Sequence, residues 1–216
     1  PSSAGVTTVT FDSNQTINGA LSTTSTAGNR RVIFRSDTYG IARTLTVNAS
    51  PSLTDADFRD LYVIGTSAPL TGTRIGDLGG VRGITTSTPK TVYWNLAAGG
   101  NWSATAWAAS SGGGVSTNNH PLAQDTAVIE NTGLTAGNAI TLDAAITYFG
   151  TIDMSTRTSG NSMALAGTTA YTVYGDWKFG IGVIRAYSGT LTFAGREKTQ
   201  TITSAGKSFA QAITID

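Results

Sequence analysis

Short runs that alternate an apolar residue with Thr, joined by Gly, recur along this chain and limit it to β structure. They are clearest in its last 28 residues, in Gly189-Thr-Leu-Thr-Phe-Ala-Gly, Gln200-Thr-Ile-Thr-Ser-Ala-Gly-Lys-Ser-Phe and Ala212-Ile-Thr-Ile-Asp. Successive side chains on a strand point to opposite faces, so each run offers one apolar face and one Thr face. Its β-branched body suits Thr to a pleated surface while the hydroxyl stays wet. The pattern breaks off at Asp216, directly after a strand-like run, and the chain starts at Pro1 without Met. It therefore reads as a piece of a longer protein.

Similar runs occupy residues 9–11, 31–34, 45–47, 61–64, 91–94, 127–129, 140–142, 151–154, 163–165, 172–174, 191–193, 201–203 and 213–215. Parity assigns Leu45 with Val47, Ile140 with Leu142, Ile152 with Met154, and Leu191 with Phe193 to inward faces. Near the end it adds Ile202, Phe209, Ile213 and Ile215. No stretch holds a capped 3.6-residue apolar period, and residues 52–59 read as the approach to a strand. The expectation is an all-β fold: a β-helix or β-solenoid-like stack of short strands, with a β-sandwich or jelly roll as the alternative. Two Gly-rich segments, 76–88 and 95–122, read as loops. The chain divides into an N-terminal β-rich module, 1–89, and a C-terminal β-repeat module, 90–216, expected to continue further.

Composition supports a packed fold and narrows the partners. The chain holds 37 Thr and 26 Gly, and only 12% of its residues are charged, yet 39% are hydrophobic. Apolar content at that level, regularly spaced, argues against disorder. The net charge is +1 and neither half is strongly basic, so there is no electrostatic footprint for nucleic acid. No Cys is present, which excludes disulfides and thiolate metal sites. No apolar run approaches the length of a membrane-spanning helix, so membrane insertion is not expected.

Motifs that resemble chemistry fail on spacing. Gly206-Lys207-Ser208 has Thr201 where a phosphate-binding loop needs its first Gly. Gly180-Ile181-Gly182 has Arg185 where a dinucleotide fingerprint needs its third. His120 is the single histidine and sits before Pro121 in an Asn-rich segment, so it reads as an exposed loop residue. With one His, metal binding through paired imidazoles is ruled out.

Two groups remain as candidate sites. Asp55, Asp57 and Asp60 form the densest carboxylate cluster, suited to a weak Ca²⁺ site or a glycosidase pair if they share a face, with Arg59 placed to neutralise them. Trp102 and Trp107 lie in the 95–122 segment and are candidates for stacking on sugar rings, or for anchoring that segment. Asn101-Trp102-Ser103 matches a glycosylation sequon, relevant only in a eukaryotic secretory setting. No cofactor is expected.

Three stretches carry a resemblance. They are Lys90-Thr-Val-Tyr-Trp-Asn with Gly100-Asn-Trp-Ser and Trp107; Pro121-Leu-Ala-Gln-Asp-Thr-Ala-Val-Ile with Gly150-Thr-Ile-Asp-Met-Ser; and Gly189-Thr-Leu-Thr-Phe-Ala-Gly with Gln200-Thr-Ile-Thr-Ser-Ala-Gly-Lys-Ser-Phe. Together they resemble Thr/Gly-rich, tail-fibre-like virion structural proteins of tailed bacteriophages, over about residues 85–216. The resemblance implies a non-catalytic virion component, of fibre, spike or head-decoration type. Its partners would be other virion proteins and further copies of the chain, in a trimer, with a host-surface glycan as a further partner. The alternatives are a bacterial surface adhesin or carbohydrate-binding β-solenoid, and a β-helix polysaccharide depolymerase using Asp55, Asp57 or Asp60. The resemblance supplies no catalytic residues.

Overall fold

The computed structural model describes residues 3–195 and 198–216. The chain is all-β and divides into two compact units, Pro1–Thr88 and Pro89–Asp216. The helices among the described residues are two three-residue 3₁₀ turns, Thr117–Asn119 and Ser159–Asn161.

In the first unit the strands Gly5–Phe11, Arg30–Ser36, Ala56–Arg59 and Gly76–Asp77 lie side by side in parallel. A second parallel sheet joins Gln15–Ile17, Arg43–Val47 and Leu61–Ile64, and a third pairs Leu53–Thr54 with Gly72–Thr73. The sheets are open. The chain visits them in rotation, so neighbours within a sheet are distant in sequence. Phe34 pairs with Phe58 in register and stacks on it, with ring centroids 5.3 Å apart; Phe11 continues the stack. Around these rings pack Leu45, Val47, Leu61 and Val63, the inward positions of their strands.

The second unit uses the same arrangement. One sheet runs Trp107–Ala108, Thr91–Trp94, Thr126–Val128, Thr151–Asp153, Trp177–Lys178 and Ile202–Thr203; only its first pair is antiparallel. Ala127 pairs with Ile152, Ile152 with Trp177 and Trp177 with Ile202, a constant step of 25 residues. Two further parallel sheets hold Gly100–Asn101, Ala139–Thr141, Met163–Gly167 and Val183–Tyr187, and Tyr148–Phe149, Tyr171–Val173, Leu191–Phe193 and Ile213–Ile215. A strand two or three residues long cannot stand alone. Here each is held by a neighbour on one or both sides, and in the longest sheet the buried side chains of Ala127, Ile152 and Trp177 stack along the ladder.

Several expectations need correction. Segment 76–88 is not a plain loop: Gly76–Asp77 is a strand and Ile84 bridges to Leu70. Segment 95–122 contains the strands Gly100–Asn101 and Trp107–Ala108 and the first 3₁₀ turn. At the C-terminal end Leu191 and Phe193 are buried, but Ile202, Ile213 and Ile215 are exposed, Ile215 at 71%. Their strands lie at the edges of their sheets, paired on one side only.

Candidate functional site

Asp55, Asp57 and Asp60 are all fully buried. They surround the strand Ala56–Arg59. Asp57 lies within it, while Asp55 and Asp60 stand at its two ends in left-handed backbone conformations, φ 57° and 52°. Asp tolerates this region better than most residues, because its short side chain can bond locally.

Two arginines from neighbouring strands and turns neutralise the pair Asp55 and Asp57. Arg31, fully buried on Arg30–Ser36, donates from Nε to Asp57 Oδ2 at 2.5 Å and from Nη2 to Asp57 Oδ1 at 2.8 Å. Its Nη1 reaches Asp55 Oδ1 at 3.4 Å, and its Nη2 also donates to the Arg74 carbonyl at 2.7 Å. Arg74 then donates from Nε and Nη2 to the two oxygens of Asp55, at 2.5 and 2.8 Å. Both carboxylates are gripped by planar guanidinium forks, the strongest ion-pair geometry proteins use. Asp60 belongs to a separate contact. Its Oδ2 accepts from the Gly40 N–H at 3.1 Å and lies 3.5 Å from Arg59 Nε.

This arrangement binds charge rather than reactants. A cation would have to displace two guanidinium groups from Asp55 and Asp57. Among the described residues no group of three or more His, Asp or Glu side chains converges on a possible metal position. The burial that brings these carboxylates together also closes them to a polysaccharide. Where a Ca²⁺ site or glycosidase pair was expected of Asp55, Asp57 and Asp60, the structure has an ion cluster at Asp55 and Asp57 and a separate contact at Asp60.

The Trp reading changes in the same way. Trp102 and Trp107 are each 1% exposed and pack edge to face, with centroids 4.7 Å apart. Trp94 meets Trp107 at 5.3 Å, Phe149 meets Trp102 at 4.7 Å, and Tyr171 stacks on Phe149 at 4.9 Å. The Trp107 indole N–H donates to the Trp102 carbonyl. Neither ring has a face left for a sugar; both anchor the segment between the first strands of the unit. Tyr62 is an aromatic side chain that does reach solvent, 39% exposed, with the Arg82 guanidinium 5.1 Å from its ring centroid.

His120 is not an exposed loop residue: it is 1% exposed, and its carbonyl accepts from Lys90 Nζ. Gly206-Lys207-Ser208 is a turn after the strand Ile202–Thr203, with Gly206 at φ 76° and Lys207 Nζ on the Ile181 carbonyl.

Sequence reasoning missed the buried cations. Arg31 shares the face of Ile33, so an Arg at an otherwise apolar position was its signal. Arg157, fully buried, donates to the carbonyls of Glu130 and Leu134 from Nη1 and to that of Ser162 from Nη2. Burial pushes its guanidinium below the ordinary arginine pKa. Asp125, also buried, pairs with Lys90 Nζ and accepts from the N–H groups of Lys90 and Leu122.

No helix among the described residues is long and apolar enough to cross a membrane. Compared with known protein families, with curated proteins and with solved structures, the chain matches none.

Proposed function

We propose that this chain is a structural, non-catalytic module built as stacked β-coils, a β-solenoid, and that it serves as a part of a phage virion of fibre, spike or head-decoration type. One observation carries the architectural half: the chain rotates through its sheets and pairs in parallel at a step of 25 residues along Ala127, Ile152, Trp177 and Ile202. Sandwiches and jelly rolls use antiparallel sheets, whereas here all but one of the strand pairings are parallel among the described residues.

The virion half rests on the resemblance of residues 85–216 together with this architecture. A Cys-free chain does not depend on redox state, and charges gathered into buried ion clusters lock neighbouring strands together. Burial of the residues named for the two competing readings favours this one: Trp102, Trp107, Asp55, Asp57 and Asp60 are all buried, and Asp55 and Asp57 are held by arginines. Mass spectrometry of purified phage particles that encode this chain tests the assignment. Its presence at structural-protein abundance is expected, and its absence from intact particles overturns the reading. Light scattering of the purified protein tests the trimer separately.

A further inference from the structure

The turn after Gln15–Ile17 and the turn after Arg43–Val47 lie on adjacent strands of one sheet, since Ile17 pairs with Val47. Asn18 and Asn48 occupy the same place in the two turns. They are joined by a hydrogen bond from Asn48 Nδ2 to Asn18 Oδ1 at 2.8 Å, and Asn48 N–H donates to the Ile17 carbonyl at 3.0 Å. Both Asn are exposed. Their C-terminal neighbours differ: Asn18 precedes Gly19, the single Asn-Gly of the sequence, and Asn48 precedes Ala49. A Cβ at Gly19 would find nothing within 4 Å, so its backbone is open to solvent on that side.

We propose that Asn18 is a site of self-modification, converting to Asp and isoaspartate with Asn48 assisting. The backbone nitrogen of Gly19 loses its proton to solvent base and attacks Cγ of Asn18. A new N–Cγ bond closes a five-membered imide, the Cγ–Nδ2 bond breaks, and Nδ2 leaves as ammonia. Water then opens the ring at either carbonyl, giving Asp or isoaspartate. One water is consumed, one ammonia is released, and no oxidant or cofactor takes part. Gly is the residue that permits this attack most freely, because it has no Cβ to crowd the closing ring. As Cγ becomes tetrahedral, charge builds on Oδ1, the atom to which Asn48 Nδ2–H already donates. A donor placed where charge develops lowers the barrier. Asn48 has the same turn and the same exposure but carries Ala49 after it, so it serves as an internal control.

The consequence lies in pairing. An Asp at position 18 keeps an acceptor for Asn48, whereas isoaspartate adds a backbone methylene directly after Ile17, whose carbonyl holds Asn48 N–H.

Prolonged incubation of the folded protein in mildly alkaline buffer, with peptide mapping for the amide-to-acid mass gain and for isoaspartate, tests this. The expected result is conversion at Asn18, faster at higher pH, with Asn48 retained as amide. Equal retention at both positions overturns the proposal. Gly19→Ala, which has space for its methyl, is expected to slow Asn18 to the rate of Asn48; an unchanged rate overturns attack by the Gly19 nitrogen. Asn48→Ala is expected to slow conversion several-fold in the folded protein and not in the denatured chain. An equal or faster folded rate overturns the assisting role.

Discussion

Arg31 grips Asp57 through two parallel hydrogen bonds, Nε to Oδ2 and Nη2 to Oδ1, with both side chains fully out of water. The two residues are 26 positions apart and sit on paired strands, so the contact fastens one strand to the next. Its neighbours extend the fastening through Asp55 to Arg74.

Replacing Arg31 with Met is expected to destabilise the first unit by about 3–5 kcal/mol, because Asp57 would be left as an uncompensated buried charge. Equilibrium denaturation in urea, read by circular dichroism, measures this. A loss no larger than that of an exposed surface substitution would show that the cluster contributes little.

Gly76 pairs with Asp57 across the ladder, and a Cβ there would lie 1.7 Å from Asp57 Oδ1. Gly76→Ala is expected to cost at least ~1–3 kcal/mol by pushing the carboxylate off Arg31. The Arg31→Met, Gly76→Ala pair should be clearly non-additive in a double-mutant cycle, since both changes break one network. Gly114→Ala, in open space, is the control and is expected to stay within ~0.5 kcal/mol of the parent.

All four tryptophans are at most 1% exposed. Emission of the native protein is expected at short wavelength and nearly insensitive to acrylamide, both changing on unfolding. Trp102→Ala should cost about 3–5 kcal/mol. Long-wavelength, readily quenched emission from the native state would contradict the packing of Trp102 against Trp107 and Phe149.

Much of the fold was legible locally, because parity is a local property. Leu45 and Val47, Ile140 and Leu142, and Ile152 and Met154 are buried as alternation requires. Parity fails at Ile202, Ile213 and Ile215 for a nonlocal reason: it selects a face, whereas burial needs neighbouring strands to cover that face, and these strands lie at sheet edges. The candidate site was misread for the same reason. Asp55, Asp57 and Asp60 are close in sequence and invite a local reading. The chemistry of Asp55 and Asp57 is decided by Arg31, some two dozen residues before, and by Arg74, well after. Likewise, Trp102 and Trp107 look available in a Gly-rich segment until Phe149 and Tyr171 arrive from later strands.

Burial pushes the Tyr171 hydroxyl from its ordinary pKa of 10.0 up to about 12, and raises Tyr187 as well. The folded state therefore keeps these protons where the unfolded chain has lost them. Stability from this source is complete below pH 10.0 and falls as pH rises from there to about 12. Denaturation midpoints measured across that window should decline with pH. Tyr187→Phe should flatten the decline, although it also removes hydrogen bonds to the Thr169 and Thr190 carbonyls. A midpoint independent of pH through the window would contradict this account.

The 25-residue step has a mechanical consequence. Adjacent strands of a sheet lie about 4.8 Å apart, so in this ladder 25 residues of chain separate paired positions that stand one strand width apart. An α-helix gains about 1.5 Å with every residue. This ladder gains far less per residue, because the chain between its strands is spent on the other two sheets of the unit.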